Sequence, residues 1–299
     1  MRVTGENIKV ELSNGLILNY DDNGPAFAPA VIFMHGTPFN KSVWDLQAEA
    51  LKNNYRVIAY DLRGHGRSTG NQAGMDIDAH TADLLALMDE LEIHDAILCG
   101  LSLGTYIAMD AIEKHPERFN AMVLSGVQCM TDTPEIKQER NNRLARLNEK
   151  GIDAFVDDSI RIYFSARAFT SRKEEVRAVR DMMLHTKPET IKANFHTLDN
   201  RREYCSRLPE IKVPVLILMG REDTVTPLSL ARNVQDKIRG SDLYAIEYAG
   251  HLVNLENTHE YNVHLKQFVD TVCRTRHLSR HCAGEVSEET TAKTGKLKV

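Results

Sequence analysis

Short apolar runs alternate with amphipathic stretches through the first part of the chain and again near its end. Residues 7–12 and 16–20 read as paired strands around Asn14-Gly15, a two-residue hairpin signal. Residues 31–34 and 56–60 are β-rich runs, each followed within two positions by Gly or Asp. Ile77, Thr81, Leu84, Met88 and Leu91 recur every three or four positions, the spacing of one helix face. Residues 96–99 then read as a buried strand, 103–114 as a helix stopped before Pro116, and 121–124 as another strand. This alternation predicts an α/β chain with a mostly parallel sheet covered by helices on both faces.

The pattern changes at residue 128. Through residue 206 it predicts four helices, over 134–150, 152–169, 172–186 and 189–205, punctuated by Gly151, Thr170-Ser171 and Pro188, with no convincing strand. Strand and helix then alternate again: 213–219, 228–238, 243–248 and 259–273. A helical block inserted into a βα pattern suggests a cap over the carboxyl edge of the sheet, where open α/β sheets bind ligands. The expected division is a core of residues 1–127 and 207–275, a cap of 128–206, and a polar, aperiodic tail, 276–299, read as disordered.

Composition narrows the function classes. Lys and Arg number 37 against 42 Asp and Glu, a formal charge of −5, which argues against a dedicated nucleic-acid binder. The longest apolar runs, 31–34 and 213–219, are too short to span a bilayer, and the N-terminus lacks the apolar core of a secretory signal. Five cysteines, Cys99, Cys129, Cys205, Cys273 and Cys282, are widely spaced and read as reduced thiols of a cytoplasmic protein. No metal-ligand spacing occurs, so neither metal nor cofactor is expected. Nothing in the composition speaks to oligomeric state.

The chemistry concentrates at strand ends. Gly100-Leu101-Ser102-Leu103-Gly104 lies between a buried strand and a helix. A nucleophile on such a turn is lifted clear of the sheet, and its neighbours two positions away must be small. Serine needs a base, itself oriented by a carboxylate. His251, after a strand-like run, and Asp223, in the loop after 213–219, supply them, with Glu222 the adjacent competitor. The oxyanion of acyl transfer needs two converging N–H groups. Leu103 offers one and Thr37 in His35-Gly36-Thr37-Pro38 the other, because Pro38 has none. His35, in that same loop, is read as a brace.

The motifs HGTP, DLRGHGRS, GLSLG, GREDTVTP and AGHLVNLE stand in the order of the α/β-hydrolase superfamily, which the chain resembles from residue 1 to about 275. The resemblance implies an eight-stranded, mostly parallel sheet with a helical cap after the sixth strand. It implies a triad of Ser102, Asp223 and His251, an oxyanion hole of Thr37 and Leu103, and scaffold roles for Asp61 and His65. Within the superfamily the residues 211–223 and the AGHLVNLE stretch are similar to enol-lactonase-like serine hydrolases, whose frame bacterial macrolide esterases share. The implied partner is a small-molecule ester or lactone, a macrolactone among the candidates, without nucleic acid, membrane or cofactor. Phe155, Tyr163, Phe164, Met182, Met183 and Phe195 are the cap side chains available to line its pocket. Carbon–carbon bond hydrolysis or perhydrolysis on the same triad, and a ligand sensor without turnover, are the competing readings.

Overall fold

The computed structural model describes residues 5–70 and 74–293, with side chains described through Arg276. Its eight strands are β1 (Gly5–Glu11), β2 (Ile17–Asn23), β3 (Ala30–Met34), β4 (Arg56–Tyr60), β5 (Ala96–Leu101), β6 (Phe119–Ser125), β7 (Val215–Gly220) and β8 (Asp242–Ile246). They form one sheet in the order β1-β2-β4-β3-β5-β6-β7-β8. β1–β2 and β2–β4 are antiparallel and every other pair is parallel.

The core helices are α1 (Asp45–Leu51), α2 (Ile77–Glu90), α3 (Leu103–Lys114), α8 (Leu228–Lys237), α9 (Val253–Glu256) and α10 (Thr258–Lys293). The cap contributes α4 (Pro134–Tyr163), α5 (Ala168–Ser171), α6 (Lys173–His185) and α7 (Pro188–Asn200). Strands β3, β4, β5 and β7 are buried along their whole length, and β6 at every position but Asn120, which is why they read as apolar runs. Alternate side chains leave the sheet on opposite faces. Ile32, Met34 and Leu98 pack with α2, α3 and α8, while Val31, Phe33, Ile97 and Cys99 pack with α1, α10 and the cap.

Several boundaries differ from the expected ones. The hairpin closes at Leu12 N–H to Leu16 carbonyl (2.8 Å), a three-residue loop rather than a two-residue turn. α4 runs through both of the first two expected cap helices, bent at Gly151 (φ 81°, ψ −176°). It stops at Tyr163 because Phe164 turns extended and the next N–H, of Ser165, is taken by the Glu256 carboxylate (2.9 Å). α7 ends at Asn200 because Arg201 turns away to meet Asp132 (2.6 Å), both side chains about 1% exposed. α10 continues to Lys293 through the stretch read as a disordered tail. That stretch lacks Pro, and a helix already nucleated needs no apolar stripe to propagate. Residues 294–299 lie outside the described residues.

The cysteine reading is corrected most sharply. Cys129 and Cys205 form a disulfide, 76 positions apart in sequence, with Cα atoms 4.9 Å apart. Both ends of the cap return to one place, where Tyr204 N–H also meets the Cys129 carbonyl (2.8 Å), a proximity that linear spacing does not contain. The disulfide removes the ground on which a cytoplasmic location was expected. Cys99 is a buried free thiol and Cys273 a half-buried one. No helix among the described residues is long and apolar enough to cross a membrane.

Candidate active site

The carboxyl ends of β3, β5, β7 and β8 bring the chemistry together. Ser102 stands between β5 and α3 with φ 53° and ψ −111°, a conformation that costs a non-glycine residue roughly 1–3 kcal/mol. Its N–H is held by the Ser125 carbonyl (2.8 Å), and its own carbonyl accepts from the Thr105 N–H (2.9 Å) and hydroxyl (2.6 Å). The flanking glycines are required sterically. A Cβ at Gly100 would lie 2.4 Å from the Gly104 carbonyl oxygen, and one at Gly104 2.3 Å from that of Met34. Leu103 opens the twelve-residue α3, so its N–H belongs to the first turn and has no partner within the helix.

Asp223 and His251 meet over a short bond. His251 Nδ1 lies 2.8 Å from Asp223 Oδ2, with both side chains essentially buried. The carboxylate also accepts from Val225 N–H (2.8 Å), Thr226 N–H (2.9 Å) and Thr226 hydroxyl (2.7 Å). Burial opposes its ionised form, but the imidazole and these donors prevail and hold its pKa below the usual carboxylate range. Glu222 points to solvent, so the choice between neighbouring carboxylates is made by the loop. With Nδ1 donating to Asp223, His251 Nε2 is left as an acceptor, and it has no hydrogen-bond partner among the described residues.

The loop after β3 closes the site. His35 is fully buried and bridges two chain segments: Nε2 accepts the Leu62 N–H (3.0 Å) and Nδ1 donates to the Gly36 carbonyl (2.7 Å). Burial pushes its pKa down to about 3, so the ring is a neutral brace and no base at ordinary pH. A Cβ at Gly36 would lie 2.9 Å from Ser102 Cβ, which shows how tightly this loop approaches the serine. Thr37 is buried, its hydroxyl 3.2 Å from His65 Nε2. Asp61 accepts the N–H groups of Lys41 and Arg67 (both 2.9 Å) and ties loops together.

Of the six cap side chains expected near substrate, Tyr163 reaches the site, its ring 5.8 Å from the His251 imidazole and 5.0 Å from Phe39. Phe155 packs on Phe195 (6.0 Å) and Phe164 on Phe169 (6.3 Å). Met183 is buried in the same cluster and Met182 is half-buried. A surface hollow of about 550 Å³ lies instead at the far end of the cap, against Met75, His196 and Tyr204.

Sequence reasoning missed Phe39 and Glu256. The Glu256 carboxylate accepts Gly250 N–H (2.7 Å) and Ser165 N–H (2.9 Å), joining the His251 loop to the cap. Burial raises its pKa against the pull of those donors. Its place within AGHLVNLE was the available signal, but a glutamate beside a helix is ordinarily solvated.

A sheet of this order, a strained serine between strand and helix, and an Asp–His pair in the loops after β7 and β8 define an α/β-hydrolase. The chain belongs to that family: the model of the alpha/beta hydrolase fold matches residues 29–258. The chain is 29% identical over 245 residues to 3-oxoadipate enol-lactonase 2 of Acinetobacter baylyi, covering 82% of this chain and 90% of that one. Among solved structures it resembles a thermophilic esterase from Thermogutta terrifontis, with a TM-score of 0.83, 26% identity, and coverage of 90% and 99% of the two chains. The enol-lactonase from Burkholderia xenovorans LB400 superposes with a TM-score of 0.82 and 26% identity, covering 88% of this chain and all of that one (100%).

Proposed function

We propose that the protein hydrolyses a carboxylic ester or lactone through an acyl-enzyme on Ser102. The observation that carries this reading is the buried Asp223–His251 pair, whose Nε2 is left as a free acceptor at the sheet edge that also presents Ser102. His251 Nε2 takes the hydroxyl proton as Oγ bonds to the substrate carbonyl carbon. The N–H groups of Thr37 and Leu103 receive the negative charge that forms on the carbonyl oxygen. Collapse breaks the ester C–O bond, and His251 returns the proton to the leaving alkoxide. Water then attacks the acyl group by the same route, and in a lactone both products remain one molecule. Asp223, kept ionised by its donors, stabilises the imidazolium in each half.

The enol-lactonase and esterase relatives support the substrate class. Tyr163 and Phe39 supply the aromatic wall beside the imidazole, while Phe155, Phe164, Met183 and Phe195 shape the cap behind it. Turnover of p-nitrophenyl esters and lactones by the wild type, lost in a folded Ser102→Ala variant, is the expected result; hydrolysis retained by that variant refutes the proposal. A screen over short esters, small lactones and macrolactones with product masses recorded reads the ring size. Substrate plus one water means ring opening, and two separate products mean cleavage of a linear ester or of a carbon–carbon bond, which the product masses tell apart.

A further inference from the structure

The cap is fastened to the core by three buried threonine hydroxyls. Thr186, just past α6, donates to the Pro38 carbonyl (2.9 Å); Thr190, in the first turn of α7, donates to the Gly64 carbonyl (2.9 Å); and Thr197 donates to the Met75 carbonyl. The first two converge on one residue. Pro38 directly follows Thr37, and Gly64 precedes His65, whose Nε2 lies against the Thr37 hydroxyl. Thr37 is therefore held by the cap both along its backbone and through its side chain. The Thr186 hydroxyl has one proton and two acceptors in reach, Pro38 O at 2.9 Å and its own helix's Met182 O at 3.1 Å, so the contact across to the core is the shorter of the two.

A preorganised N–H is useful only when aimed at the point where charge develops, and a displacement well under an ångström weakens it. The oxyanion loop has few internal ties of its own: Phe39 N–H to Gly36 O (3.0 Å) and the His35 ring. We infer that Thr186 is a positioning residue for the reaction, its hydroxyl holding the Thr37 N–H on the oxyanion through Pro38 and so making the seating of the cap a condition of turnover. This inference rests on the reading of Thr37 as an oxyanion donor. Thr190 serves the same end by the second route. The cap thereby does more than shape a pocket: a cap lifted from the core loses the tether as well as the wall.

The test compares Thr186→Val, nearly isosteric but without a donor, with Thr186→Ser, which keeps it. Steady-state hydrolysis of a p-nitrophenyl ester is measured alongside inhibition by an alkyl boronic acid, which forms an anionic tetrahedral adduct. Thr186→Val is expected to lower kcat about tenfold, with KM within about twofold, and to weaken the boronic acid by a similar factor; Thr186→Ser is expected to stay within about twofold of wild type. A purely structural role would not move boronate affinity in step with kcat. The inference is overturned if Thr186→Val matches the wild type, if the serine variant is as impaired as the valine one, or if only KM rises. Circular dichroism checks folding, and Thr190→Val is read for the same signature should Thr186→Val not fold; its absence there also overturns the inference. If Ser102→Ala in the same assay retains turnover, the hydrolase reading itself falls. If Ser102→Ala is inactive and the threonine variants are normal, the tether alone falls.

Discussion

Acidification from pH 7 to pH 5 acts on three histidines that the fold keeps neutral. Burial, opposed by the backbone bond to Gly36 and aided by the nearby His80, brings the pKa of His35 down to about 3. Burial, with the charge of Arg63 and the neighbouring His65, sets that of His80 at about 3 as well. His65 is held well below its ordinary value, mainly by burial and by His35. In the unfolded chain each titrates near 6.5. Between 6.5 and about 3 the unfolded state therefore binds a proton that the folded state refuses, and stability falls as pH falls. His35 and His80 each cost about 2 kcal/mol between pH 7 and pH 5, together about 4 kcal/mol of the roughly 5–15 kcal/mol that holds a domain together, and His65 acts in the same direction. Asp61 and Glu256, whose carboxyls burial holds above the usual range, titrate in the opposite sense and offset part of the loss. His80 isolates one unit of the effect, because its ring is buried and neutral and leucine fills the same space without a titratable group. Urea unfolding followed by circular dichroism at pH 7 and pH 5 is expected to show a smaller acid loss in His80→Leu than in the wild type, by about 2 kcal/mol. The same pH dependence in both proteins would refute the reasoning.

Two further outcomes follow from packing and covalent structure. Gly36→Ala places a Cβ 2.9 Å from Ser102 Cβ, so turnover is expected to fall by about two orders of magnitude with little change in unfolding midpoint; unchanged kcat would mean the loop stands farther from the serine. Reduction, or Cys129→Ser, releases a crosslink spanning 76 positions, for which loop-closure entropy gives about 4.5 kcal/mol, so the wild-type unfolding midpoint should drop markedly under dithiothreitol, while the Cys129→Ser variant should start from that lower midpoint and not respond to dithiothreitol.

The residues of the site were legible in the sequence because each belongs to a strand end, and a parallel sheet returns successive strand ends to one edge. Asp223 and His251, 28 positions apart in the chain, are brought to 2.8 Å at that edge. Gly100 and Gly104 were legible for a local reason: the turn between strand and helix leaves no room for a Cβ. Gly151 was legible as a break between two cap helices, although its positive φ of 81° bends one helix and does not end it.

The cap was legible as four helical periods and little more. Where α7 ends is decided by Arg201 reaching Asp132, and where α4 ends by Ser165 reaching Glu256; both partners are far away in sequence. The Cys129–Cys205 bond and the threonine tethers have the same character. Periodicity reports which face of an element is apolar, because that is a property of neighbours three or four positions apart. It carries no information about which polar atoms are brought within bonding distance when the elements pack. The sequence by itself determined the sheet, the helical insert and the residues proposed to react; only the tertiary structure decided that Asp223 and not Glu222 faces His251, that Tyr163 stands over the imidazole, and that the cap grips the loop bearing Thr37. Those outcomes depend on desolvation and on contacts between distant segments, which exist only once the chain has closed on itself.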